Sequence, residues 1–144
     1  MALRAARRRA REIALQALYA WQLARGDALA EASTLEGWER CDQELARELI
    51  RGVTGRVAEL ESRIAPFLDR ELVRVSPIER AILCIGTYEL AERRETPVKV
   101  VLNEAIELGK SFGGTDGHKY VNGVLERIAA ELRPEELARA RATA

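Results

Sequence analysis

Apolar residues in this chain recur at spacings of three and four, the period of a helix buried along one side. No stretch of convincing length alternates with the period of two that a half-buried strand needs. One stripe runs Ala10, Ile13, Ala14, Ala17, Leu18 and Trp21, and a second runs Leu45, Leu49, Ile50, Val53, Val57, Leu60 and Ile64. Three more follow: Ile78 to Tyr88, Val98 to Phe112 and Val121 to Leu132. The pattern predicts an all-α fold of six to seven helices in two packed helical subdomains. The expected division is an N-terminal helical half over 1–72 and a C-terminal helical half over 73–134. A flexible tail over 135–144 is expected after Pro134, where the sequence turns charged and alanine-rich.

Local signals punctuate these stripes. Gly26 is expected to end the first helix, and Asp42 to cap the helix that follows a connection over 27–40. That helix is expected to run to a break near Pro66, with Gly52 and Gly55 admitting a close neighbour. Ser76-Pro77-Ile78-Glu79 reads as N-cap, first-turn proline and capping-box glutamate. Thr96-Pro97 repeats the device, Gly113-Gly114 closes that helix, and Thr115 or Asp116 caps the next.

A chain of 144 residues can bury about 70% of its unfolded surface, so a real core is available. With 47% hydrophobic and 32% charged residues it reads as soluble and globular. The longest uncharged stretch, Ile13 to Ala24, is shorter than the ~18 residues of a bilayer span. The early arginines followed by apolar residues imitate a signal peptide. Glu12, Gln16 and Gln22 interrupt that segment, however, and its apolar residues form a helical stripe, so the cytoplasm is the expected compartment. Cys41 and Cys84 lack metal-ligand spacing and His118 is the single histidine, so neither a disulfide framework, a metal site nor any cofactor is expected.

Formal charge sums to zero, yet it is unevenly distributed. Residues 1–25 hold six arginines against Glu12, a net +5, whereas residues 26–72 hold six arginines against eleven acids, a net −5. Arginine outnumbers lysine throughout, 20 to 3, but that bias does not account for five arginines between Arg4 and Arg11. At 100° per residue Arg4, Arg7, Arg8 and Arg11 are expected on one arc bordering the buried stripe without entering it, with Tyr19 near its prolongation. Such a ridge suits a polyanion, because local field governs that affinity more than net charge does.

Catalysis is not expected. It needs a nucleophile, a base and an orienting group that converge, and Asp116 with His118 at a helix start suits capping and surface roles better. The run Gly113-Gly114-Thr115-Asp116-Gly117 lacks the spacing of a phosphate loop. RNA binding fits better, since guanidinium forks pair with phosphate and stack on bases. Phe112 and Tyr120 flank the glycine turn, where they would either stack bases or plug a helix corner.

Four ordered blocks also carry a resemblance. They are Arg7-Arg8-Arg9-Ala10-Arg11-Glu12 with Gln16-Ala17-Leu18-Tyr19-Ala20-Trp21-Gln22, Ser76-Pro77-Ile78-Glu79-Arg80-Ala81-Ile82-Leu83, Pro97 through Leu108, and Lys110-Ser111-Phe112-Gly113 with Asp116 through Leu125. Together they resemble the NusB family of bacterial transcription antitermination factors over nearly the whole chain, weakly over 27–72. The resemblance implies a non-enzymatic protein that pairs with NusE, a ribosomal protein, and binds the boxA element of ribosomal RNA leaders within the RNA polymerase antitermination complex. It joins the arginine-rich first helix to the turn before the last helix as one RNA surface. By motif that surface maps onto Arg7, Arg8, Arg11, Phe112, Asp116, Lys119 and Tyr120, with Arg4 added from the arginine arc. It assigns NusE to a face with Tyr19 and Glu79, although Glu79 is equally a helix cap. Asp116 would order the turn and accept from base amino groups.

Two rival functions remain at this point. One is a module of ribosomal RNA cytosine methyltransferases, against which stands the lack of any alternating strand and helix pattern or glycine-rich cofactor loop. The other is an RNA-independent helical adaptor whose arginines grip an acidic protein. A homodimer burying the RNA face is a further alternative.

Overall fold

The computed structural model describes residues 2–143, with the side chain of Ala2 left aside. They form eight α-helices: α1 (Ala2–Ala24), α2 (Ala28–Ala32), α3 (Gln43–Gly55), α4 (Val57–Ile64), α5 (Pro77–Glu92), α6 (Val98–Phe112), α7 (Gly117–Leu132) and α8 (Pro134–Ala142). Short 3-10 turns lie at Trp38–Arg40, Ala65–Phe67 and Leu72–Arg74, and no strand occurs among the described residues. The chain is all-α, as its periodicity requires. It divides into two compact units at Val57/Ala58, not at residue 72.

In the first unit α1 packs against α2 and α3, burying Ile13, Ala14, Ala17 and Leu18 of the expected stripe together with Leu45, Leu49, Ile50 and Val53 of α3. α1 ends where Arg25 and Gly26 both turn left-handed, at φ 59° and 85°. Asp27 then starts α2 by accepting hydrogen bonds from the N–H groups of Leu29 and Ala30, both at 3.1 Å. Asp42 caps α3 by accepting from Leu45 N–H at 3.0 Å, while its own N–H donates to the carbonyl of Ala6 at 2.9 Å and ties α3 to α1. The helix expected to run on to Pro66 breaks instead at Arg56, between α3 and α4. No atom lies within 4 Å of a Cβ built on Gly55, so that glycine marks the break and does not admit a neighbour.

In the second unit α5, α6 and α7 pack against one another. Ser76 caps α5, its Oγ accepting from Glu79 N–H at 3.2 Å, and Pro77 occupies the first helical position. Glu79 does not complete the capping box; its carboxylate lies against Gly117, 3.2 Å from where a Cβ there would stand. Every residue from Ala81 to Leu90 is buried, so α5 is covered all round and not along one stripe. Two glycines set the packing: a Cβ on Gly86 would meet Leu125 Cδ1 at 2.7 Å, and one on Gly109 would meet His118 Cα at 2.6 Å. α6 and α7 thus cross with backbones in contact.

The C-terminal segment differs most from expectation. Residues 134–142 are helix α8, with Leu137 buried, in place of a flexible tail. Thr96 does not cap α6; the first helical residue, Val98, donates its N–H to Glu136 Oε2 of α8 at 2.8 Å. Burial works against ionising Glu136, but this bond and the neighbouring Arg133 outweigh it and hold the carboxyl below its ordinary value of 4.5. No described helix is long and apolar enough to cross a membrane.

Candidate nucleic-acid interface

The arginine arc of α1 splits in the folded chain. Arg4 and Arg7 are exposed and Arg8 is half-buried, whereas Arg11 is only 4% exposed. Arg11 therefore does enter the buried sector, contrary to the arc read from helical phase. Leu15, one turn further along the same face, is fully buried and widens the apolar sector beyond the stripe. Arg7 Nε lies 3.8 Å from Asp42 Oδ2, and with the Arg7 side chain 46% exposed this loose pair leaves most of its fork to solvent. Tyr19 is 37% exposed, and Leu23 one turn later is 63% exposed. Sequence reading passed over Leu23 because it ends the apolar stripe without belonging to it.

The other expected residues belong to the second unit, around the corner between α6 and α7. Phe112 closes α6 half-buried, and Asp116 precedes α7. The Asp116 side chain makes no capping bond; only its carbonyl accepts, from the N–H groups of Lys119 and Tyr120 at 3.1 and 3.2 Å. Its carboxylate instead lies 3.4 Å from Lys119 Nζ, both side chains being more than 70% exposed. His118 serves the crossing through its backbone, against Gly109.

Tyr120 has two partners that sequence reading missed. Its hydroxyl donates to Asp69 Oδ1 at 3.1 Å, and the Arg70 guanidinium lies 4.6 Å from its ring centroid. Arg70 grips the same carboxylate with Nε at 2.7 Å and Nη2 at 3.1 Å. The Arg70 guanidinium beside Asp69 holds its carboxyl below the usual carboxylate range. Burial, then the bond to Asp69, pushes the Tyr120 phenol above its ordinary 10.0. An Asp-Arg pair after a proline break has no local signature beyond a solvated turn, and only the fold brings it to Tyr120.

Cys41 and Cys84 are both free thiols, and burial pushes Cys84 up to about 12, which keeps it an unreactive apolar side chain. No group of three His, Cys, Asp or Glu side chains suited to a metal comes together among the described residues.

At the level of class, this is an all-α protein of two helical units with basic and aromatic side chains turned outward on each. The NusB family model matches residues 8–130. Transcription antitermination protein NusB of Aromatoleum aromaticum is 46% identical, covering 98% of this chain and 99% of that protein, and the same protein of Azoarcus sp. is 49% identical, covering 99% and 94%. Among solved structures, T. maritima NusB superposes with a TM-score of 0.80 at 33% identity, covering 92% of this chain and 96% of that one. A crystal structure of antitermination factors NusB and NusE in complex with double-stranded RNA superposes with a TM-score of 0.75 at 25% identity, covering 86% and 96%. The chain belongs to the NusB family.

Proposed function

We propose that this protein is a cytoplasmic transcription antitermination factor that binds the boxA element of ribosomal RNA operon leaders together with NusE, and performs no catalysis. The observation that carries this reading is the outward-facing start of α1, where Arg4 and Arg7 present forks in a segment of net charge +5. Membership of the family, one of whose solved relatives is described in complex with NusE and RNA, supports the choice of partners. In this reading Arg4, Arg7 and Arg8 pair with phosphates, while Arg11 adds charge to the local field from a buried position and offers no open fork. Asp116, Lys119 and Tyr120 contact RNA at the α6–α7 corner, with Phe112 supporting the corner from the end of α6. Asp116, as an exposed acceptor, suits base amino groups and not phosphate. NusE docks on the α1 face that carries Tyr19 and Leu23, with Glu79 as a second contact, and the RNA polymerase antitermination complex assembles around the pair.

Fluorescence anisotropy of a labelled boxA-like single strand, read across a salt series with NusE present, tests the RNA half. Arg4→Ala and Arg7→Ala should each weaken binding and flatten the log–log salt slope by about 0.7, the share of one single-strand phosphate contact. An unlabelled duplex of the same sequence should compete poorly. If affinity and slope both survive the two substitutions, the RNA-independent adaptor takes the place of this reading.

Co-purification tests the NusE half. Tyr19→Asp should abolish capture of NusE while circular dichroism stays helical, because Tyr19 lies at the surface of α1. Full capture by that variant would move NusE to another face.

A further inference from the structure

We propose that Arg70 reads a nucleobase: its guanidinium, held over Tyr120 by Asp69, is the platform on which one base of the bound single-stranded RNA stacks. The inference rests on the RNA-binding reading above and assigns part of that contact to a residue outside the family blocks.

Three observations carry it. First, the Arg70 guanidinium, 4.6 Å from the ring centroid, covers one face of Tyr120, and the phenol hydroxyl is already committed to Asp69. A base approaching from that side meets the guanidinium plane before the ring, and the stacking expected of Tyr120 passes to Arg70 on that side. Second, Asp69 fixes the plane. Its carboxylate takes Nε and Nη2 at 2.7 and 3.1 Å, which uses two of the five N–H donors of arginine and leaves three for base or sugar oxygens. An ion pair between such exposed neighbours adds little to stability, so its consequence is orientation. Third, the surroundings do not suit a phosphate. Two carboxylates act on Arg70, Asp69 in direct contact and Glu79 through its field, and they offset the charge of the guanidinium. A polyanion's backbone is attracted more strongly by the arginines of α1, and a neutral base edge is the better occupant here.

The test uses the full chain with NusE and a boxA-like single strand carrying 2-aminopurine at each position in turn. Arg70→Lys keeps the charge and removes the plane. It should weaken binding between about fivefold and a hundredfold, as loss of one stacked base does, and leave the salt slope intact. At saturating protein it should also abolish the 2-aminopurine quenching that the wild type produces at one position. Asp69→Asn should reduce that quenching by freeing the plane. Wild-type binding and quenching by Arg70→Lys would overturn the proposal. So would an Arg70→Ala variant that flattens the slope by about 0.7 while Arg70→Lys binds normally, for Arg70 would then be a phosphate contact. Arg7→Ala is measured in parallel. If it weakens binding while Arg70→Lys does not, the platform alone fails, and if the wild type shows no salt-dependent RNA binding, both readings fail together.

Discussion

Arg133→Ala is expected to cost on the order of 3–5 kcal/mol and to lower the melting temperature by roughly 10 °C or more. The Arg133 side chain is 1% exposed, and its guanidinium makes five hydrogen bonds. Nε donates to the carbonyl of Leu90 at 2.9 Å, Nη1 to that of Thr96 at 2.6 Å, and Nη2 to those of Glu89 and Arg93, both at 2.9 Å. Nη1 also donates to Glu136 Oε1 at 3.1 Å. Glu89 and Leu90 lie in the last turn of α5, at the negative end of the helix dipole, where the Glu89 carbonyl also accepts from Arg93 N–H at 3.0 Å and the Leu90 carbonyl relies on Arg133. Arg93 and Thr96 belong to the connection from α5 to α6. One buried cation therefore ties the end of a fully covered helix to the loop that leaves it, and alanine would strand the carbonyls of Leu90 and Thr96 at about 1–3 kcal/mol each before any water enters, while those of Glu89 and Arg93 keep the N–H groups of Arg93 and Thr96. Lysine should recover only part of the loss, since a single ammonium cannot span four carbonyls held in a fork. A thermal melt decides. A shift below about 3 °C would mean that water replaces the guanidinium almost without penalty.

Nothing in the sequence announces that side chain. Arg133 follows Leu132 and precedes a proline in a run of charges, where an arginine ordinarily faces solvent, and all four carbonyls it serves lie some forty residues away. The same limit explains α8. Its stripe is thin, and Leu137 gains its buried place only because Arg133 and Glu136 fasten this helix to the ends of α5 and α6. Local chemistry was legible instead. Asp42, Ser76 with Pro77, and Gly26 each act where their short-range bonding or left-handed preference places them, and the stripes of α1, α6 and α7 are the buried faces. Errors came where depth, and not phase, decided. Helical phase set Arg11 at the border of the stripe, and the burial of Leu15 beside it moved the border. At the candidate site Asp116, Lys119 and Tyr120 could be grouped from sequence because one turn holds them. Asp69 and Arg70, about fifty residues earlier, could not, because only packing brings them to Tyr120.

The crossing of α6 over α7 yields the second large effect. Gly109→Ala should destabilise the protein by about 2–3 kcal/mol in denaturant titration even though alanine favours helix by roughly 1 kcal/mol. The new Cβ would stand 2.6 Å from His118 Cα and 3.1 Å from His118 N, and backbone cannot rotate away as a side chain can. Gly86→Ala meets the side chain of Leu125 at its Cδ atoms, 2.7 and 2.9 Å away, which can shift where backbone cannot, so its penalty should be smaller and partly offset by the helix gain. Gly123→Ala has nothing within 4 Å on the exposed side of α7 and should stabilise by about 0.5–1 kcal/mol. The three also separate in function. Relief of the Gly109 contact displaces the start of α7, and Tyr120, two residues past His118, moves relative to Asp69. Gly109→Ala should therefore weaken RNA binding beyond what its unfolded fraction explains, whereas Gly86→Ala and Gly123→Ala should bind as the wild type does. Equal stability of the Gly109 and Gly123 variants would mean that the two helices separate freely at their crossing, and a corner so loosely held could not keep the Tyr120 ring beneath Arg70.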